Sequence, residues 1–228
     1  MMIDHFRHRG RAILKEKGLG SLLLSVCKRV RHKPGWHILK VLELIPTPDL
    51  KLQRPGVEVI IRELDDPDDP LFDEIVAKDV WRTSKTELMK WIQEGQRCYV
   101  AVHQGRLSTV TWWQRGEFLV PQLHRRFKLA PNEVYCHNAF TVPEYRGKGI
   151  WPYLKLMVAR QFARTERNLC VLALVHSSNR ASLHGNAKLG TALKGHVGFA
   201  EIFGIRLHYM LGRSYFRDTH RRIYLEFH

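Results

Sequence analysis

Apolar positions recur with period two in some stretches and near 3.6 in others, and the switches between the two periods place most of the elements. Val57 to Leu64 alternates as a strand, and the acidic, proline-rich run Asp65 to Pro70 turns into a helix beginning near Leu71. A second helix covers Ser84 to Gln93. Arg97 to His103 and Leu107 to Gln114 read as a hairpin turned at Gln104 and Gly105, with one of Trp112 and Trp113 expected in the core. Arg115 to Asn132 reads as a long loop, either a connector or, with the Ser84 to Gln93 helix, a wall of an acceptor site. Tyr135 to Val142, rich in β-branched and aromatic residues, is a strand ended by Pro143. From Trp151 to Thr165, Leu154, Met157, Val158 and Phe162 recur at helical spacing. The unbroken apolar run Leu169 to Val175 is a buried strand, which makes a parallel pair with a crossover helix. Asn179 starts a further helix that Gly190 stops, and Val197 to Phe203 with Ile205 to Leu211 form a second hairpin around Gly204. The tail, Gly212 to His228, is basic and aromatic.

The strand from Tyr135 and the helix from Trp151 are joined by Arg146, Gly147, Lys148 and Gly149. Glycines there let backbone approach a ligand, and the first helical N–H groups have no partner within the helix. An anion, above all a phosphate, suits such a turn.

Charge widens the set of partners. Over 228 residues, 37 Lys and Arg against 22 Asp and Glu give a formal charge of +15. Acidic partners follow: a polyphosphate cofactor, an acidic carrier protein, an anionic membrane face or nucleic acid. Basic residues are densest from Arg7 to Lys40, where Ile13, Leu14, Leu22, Leu23, Leu24 and Val26 lie between them and Gly18 and Gly20 divide two short helices. Such a segment either packs on its own domain or lies on an anionic bilayer. Pro46, Pro48, Pro55 and Gly56 mark the approach to the main domain, so residues 1–52 read as a basic helical extension and 53–228 as the domain. Cys27, Cys98, Cys136 and Cys170 are widely spaced in apolar contexts and read as reduced thiols. With no run long enough for a membrane span and no signal-peptide pattern, the expected location is cytoplasmic, with peripheral contact to the inner membrane face through residues 7–40 as a further expectation. The histidines show no metal-ligand spacing, so no metal is expected.

Together, RGKGI after a strand, then an apolar strand, then Asn179, Ser182, Lys188 and Gly190 in N-x-x-S-x-x-x-x-x-K-x-G spacing, resemble the acyl-CoA-binding core of the GCN5-related N-acetyltransferases (GNAT). The resemblance spans roughly Val57 to Leu211. It implies an α/β (α+β) fold with a mixed central sheet flanked by helices. It also implies a donor site in which Arg146, Gly147, Lys148, Gly149, Ile150 and Trp151 hold the pyrophosphate of acetyl-CoA, or of a longer acyl-CoA, through backbone N–H groups. Phe140, Thr141 and Val142 on the preceding strand and Asn179 with Ser182 after the next one complete that set. Two departures stand out. The loop closes on Trp151 where the family has Gly or Ala, and Asn186 stands where the family often has a tyrosine acid. A carboxamide can donate a hydrogen bond to a leaving thiolate but gives up no proton near neutral pH.

On the strand, His137 stands where many members carry a glutamate that activates the amine, and it titrates near neutrality. Beside it lies Asn138. The implied reaction is direct attack of an amine, of a small molecule or an amino-sugar, on the thioester carbonyl, with a strand N–H holding the oxyanion. Alternatives are a longer acyl chain delivered by an acyl carrier protein or acyl-CoA, and a nucleic-acid or membrane-binding module on the same fold. Such a binding module ranks last because the basic residues are spread along the chain and do not form one stripe.

Overall fold

The computed structural model describes residues 35–51, 54–78, 80–123, 125–202, 205–212 and 224–227. The helices read from Arg7 to Val30, the boundary at Leu52, the Gly204 turn and most of the tail lie outside those residues. The chain divides into two compact units: the larger takes in the described residues of Ile38–Val197 and Met210–Arg221, the smaller those of Met1–His37, Gly198–Tyr209 and Arg222–His228.

The larger unit is built on a mixed sheet. In chain order its elements are strands β1 (Gly35–Leu44) and β2 (Ile60–Leu64), helices α1 (Pro70–Ala77) and α2 (Lys85–Gln93), and strands β3 (Arg97–His103) and β4 (Arg106–Gln114). A short ribbon of β5 (Glu117–Val120) and β6 (Arg125–Lys128) follows, then β7 (Glu133–Thr141), helix α3 (Ile150–Ala163), β8 (Cys170–His176) and helix α4 (Arg180–Lys188). The spatial order is β1-β8-β7-β4-β3-β2, with β7 and β8 parallel and the other neighbours antiparallel. This is the mixed, helix-flanked sheet expected.

Caps fix the helices where the sequence placed them. Asp69, Ser84 and Asn179 each accept a hydrogen bond from the first turn, at the N–H of Leu71, Glu87 and Ser182. Both tryptophans of β4 are buried, one more than expected. Adjacent strand residues point to opposite faces, and both faces are covered: Trp112 packs with Phe72, Ile75 and Leu88 of α1 and α2, Trp113 with Leu154 and Phe162 of α3. Trp113 and Phe162 stack at 5.6 Å.

Two stretches differ from the sequence reading. Gly35–Leu44, placed above in the helical extension, includes a strand edge in which Leu39 pairs with His176 and Leu44 with Val171. Its charged Glu43 is buried and bridged to Lys194 at 2.7 Å, so the charge that masks the strand pattern has a partner in the fold. The presumed loop Arg115 to Asn132 contains the β5–β6 ribbon, closed by pairing of Phe118 with Phe127. Buried Arg125 occupies an inward position there and hides the alternation.

In the smaller unit, residues 205–208 of strand β10 (Ile205–Gly212) pair antiparallel with β11 (Tyr224–Phe227), Leu207 opposite Leu225. His37 stacks on Phe199 at 4.5 Å, on the strand β9 (Ala192–Ile202).

Candidate active site

Strands β7 and β8 pair over only three residues, Glu133 with Cys170, Val134 with Val171 and Tyr135 with Leu172, and then part. A bulge helps them do so: between Val110 and Trp112 of β4 the register slips, because two residues of β7, Asn138 and Ala139, face one of β4. Asn138 takes a left-handed φ of 46°, a conformation asparagine tolerates better than most. The parting opens a wedge whose two walls carry backbone groups not used by the β7–β8 ladder.

At one end of the wedge lies a cleft of about 370 Å³, lined by Phe140, Thr141, Arg146, Gly147, Gly149, Ile150, Trp151, Asn179 and Ser182. Gly147 and Gly149 have φ of 77° and 75°, and a Cβ on either would meet nothing within 4 Å. The backbone therefore turns in a way only glycine takes easily and leaves space above the first turn of α3, whose N-cap Gly149 makes no side-chain cap. A phosphate fits this arrangement. Two residues read into the donor site stand apart. Val142 is buried in the core, and Lys148 is exposed, its carbonyl accepting from the Gly56 N–H at 2.9 Å and its Nζ over the Tyr145 ring. The Arg146 side chain folds back, Nε donating to the Thr141 carbonyl at 3.2 Å.

A larger cleft of about 840 Å³ joins the first and shares Ala139, Trp151, Asn179 and Ser182 with it. His137, Asn138 and Asn186, the three candidate reactive residues, all line it. So do parts of both regions expected to shape an acceptor site: Trp91 from α2 with Glu94 just after it, and the ribbon residues Glu117 to Gln122. One wall is an aromatic stack, Phe118 on Tyr135 at 4.1 Å and Tyr135 on His137 at 5.0 Å. Further aromatic surface in the cleft comes from Trp81 and Trp91, centroids 6.3 Å apart.

His137 is neutral at physiological pH, because burial lowers its pKa to about 4 against a hydrogen bond with Asn138 that raises it. Its Nε2 is buried and has no hydrogen-bond partner, as have Gln96 Oε1 and Trp151 Nε1, all three on residues of the same cleft. An imidazole whose conjugate acid is this strong accepts a hydrogen bond from an amine and takes a proton only from a strongly acidic ammonium.

Asn186 is fully buried on α4 and engaged on both sides, Oδ1 accepting from Lys155 Nζ at 2.7 Å and Nδ2 donating to the Ser182 carbonyl at 2.9 Å. Lys155, on α3, is also fully buried, and sequence reading missed it. The signal was a charged residue between Leu154 and Leu156, one turn from Trp151 on a face that is otherwise apolar.

The departure at Trp151 is matched across the cleft. A Cβ on Gly185 would lie 2.4 Å from the Trp151 ring. Gly185→Ala is therefore expected to cost about 1 to 3 kcal/mol, the usual range for overpacking. Chemical denaturation reads it, and an unchanged midpoint would contradict the fit. Among the described residues no cluster of three or more His, Cys, Asp or Glu could hold a metal ion, and no helix is long and apolar enough to cross a membrane.

No protein-family model and no curated protein matches the sequence. Solved structures do. A Drosophila protein is 14% identical over 81% of this chain and 56% of its own, with a TM-score of 0.50. A GNAT-family acetyltransferase from Colwellia psychrerythraea is 13% identical over 87% of this chain and 62% of its own, at 0.49. A GCN5-related N-acetyltransferase from Kribbella flavida is 15% identical over 80% of this chain and 63% of its own, at 0.47. The chain thus spans less than two thirds of each, and at these identities the likeness concerns the fold alone. With β7 and β8 parallel and splayed around a glycine turn that opens α3, the mixed, helix-flanked sheet is the arrangement that the sequence resemblance to the GNAT family implies.

Proposed function

We propose that the protein is an acyl-CoA-dependent N-acyltransferase, moving acetyl from acetyl-CoA to an amine of a small molecule or amino-sugar by direct attack on the thioester. The observation that carries this reading is the continuity of the wedge: an anion-suited turn at one end, a cleft with a neutral imidazole whose Nε2 has no partner at the other, and open strand edges between. The first turn of α3 with Gly147 and Gly149 suits the pyrophosphate, and the free edges of β7 and β8 suit the amides of a pantetheine arm. The donor supplies the activated carbonyl. His137 accepts a hydrogen bond from the incoming amine and takes its proton once C–N bond formation has made the nitrogen strongly acidic.

An amine suits the acceptor half better than a hydroxyl. In a chain of charge +15, that half presents the carboxylates of Glu94 and Glu117 against the single guanidinium of Arg126, with the unpartnered carbonyl of Gln96 among aromatic residues. These groups favour a cation over neutral ligands. The test is thiol release from acetyl-CoA with a panel of amines and amino-sugars, run beside a thioester chain-length series. Absence of both transfer and slow hydrolysis across the panel would remove the reading. Glu94→Gln and Glu117→Gln are each expected to raise KM for the amine up to about fivefold with kcat unchanged, since exposed charges contribute at most about 1 kcal/mol. Steady-state kinetics on the best acceptor checks this.

A further inference from the structure

Lysine can only donate hydrogen bonds, whereas a carboxamide has one accepting and one donating end. The 2.7 Å contact between Lys155 Nζ and Asn186 Oδ1 therefore decides which way the Asn186 amide points. Its oxygen must face Lys155, and its NH₂ must face Ser182, where Nδ2 meets the carbonyl at 2.9 Å and Oγ at 3.5 Å. Asn186 and Ser182 both line the large cleft, and Ser182 also lines the phosphate-end cleft, so the NH₂ stands where the two join. Resting on the acyltransferase reading above, we propose that Lys155 is a positioning residue. It locks Asn186 with its N–H donors, not its carbonyl, toward the leaving sulfur, and sets a positive charge behind them.

The reaction needs such a device. The amine lone pair forms the C–N bond, the C–S pair departs on sulfur as thiolate, and the amine proton goes to His137 and on to water. Three groups lining the large cleft deliver no proton to the sulfur. Asn186 has none to give, His137 is deprotonated near neutral pH, and burial pushes the Cys136 thiol upward. A flipped Asn186 would turn its carbonyl dipole against the developing anion. Around Lys155, α3 packs on β3, β4, β7 and α4. The titratable group acting on it from these is Cys136 of β7, while Trp151 offers its ring face at 5.7 Å and Asn186 its oxygen. Burial lowers the Lys155 pKa and Cys136, itself a buried neutral thiol, offers it no charge, so the Asn186 oxygen and the Trp151 ring face are what favour the ammonium.

The decisive measurement is the pKa of the thiol of bound CoA, followed by ultraviolet thiolate absorbance on the full chain. Calorimetry first establishes that CoA binds. In the wild type the bound thiol should titrate about one unit below free CoA, a tenfold gain in thiolate. Lys155→Met, close in volume and unable to fix the amide, should abolish that shift and lower kcat about 10- to 100-fold with KM for acetyl-CoA unchanged, below the loss seen for a full oxyanion-hole donor. Asn186→Asp keeps a partner for Lys155 but has no N–H, and it should raise the bound thiol above the free value. It also serves should Lys155→Met fail to fold. Lys155→Met combined with Asn186→Asp should lose no more than Asn186→Asp alone. CoA bound with the same thiol pKa in wild type and both variants overturns this proposal and leaves the acyltransferase reading standing; no CoA binding overturns both.

Discussion

Glutamate in place of Gly149 is expected to weaken CoA binding by about a hundredfold or more. Two effects act, and they separate. Gly149 has a φ of 75°, so any side chain there costs about 1 to 2 kcal/mol of backbone strain. That strain is present with and without ligand and appears in the unfolding midpoint. The carboxylate acts on the ligand. Placed about 5 Å from a pyrophosphate charge, at an effective dielectric near 20, it repels by about 3 kcal/mol, or roughly two decades in Kd. Gly149→Ala carries the strain alone and should keep most of the affinity. Calorimetric titration of both variants with CoA distinguishes the two effects, and glutamate-variant affinity equal to wild type would show that no phosphate sits over this turn.

The second large effect concerns acid. His137 has its pKa lowered from 6.5 to about 4 by burial, so between those values the unfolded chain binds a proton that the folded chain refuses. The contribution is fully present above pH 6.5, is lost as pH falls toward 4, and amounts to about 3 kcal/mol at most. His137→Gln removes it. Denaturant melts at a series of pH values should therefore show wild type and variant diverging from pH 7 down to 4, the wild type having the steeper loss. Parallel curves would mean the imidazole is not held neutral in the folded protein.

What the sequence disclosed about this site follows from range. The Arg146 to Gly149 turn was legible because its determinants are consecutive: a strand, two glycines needing positive φ, and a helix start. The helix starts near Leu71, at Ser84 and at Asn179 were legible for the same reason. β1 was not, since Leu39 meets His176 across more than a hundred residues and buried Glu43 finds Lys194 only in the fold. The β5–β6 ribbon was obscured by Arg125 at an inward position, which breaks the alternation that marks a strand. Of the reactive residues, His137 and Asn138 could be placed on a strand but not given a face, because the bulge at Asn138 shifts which residues face β4. Asn186 was seen alone and Lys155 not at all. Each makes sense only beside the other, on helices joined by 2.7 Å of tertiary contact.

The three-residue pairing of β7 with β8 has a mechanical meaning. A sheet is stiff where its ladder is continuous, and here the ladder between β1-β8 on one side and β7-β4-β3-β2 on the other is reduced to a hinge at Tyr135 and Leu172. Whatever seats itself along the open edges becomes the missing rung between two half-sheets. Occupancy then adds to cohesion: a ligand bound along the open edges raises the resistance of the two halves to separation, beside the core that α3 builds across both.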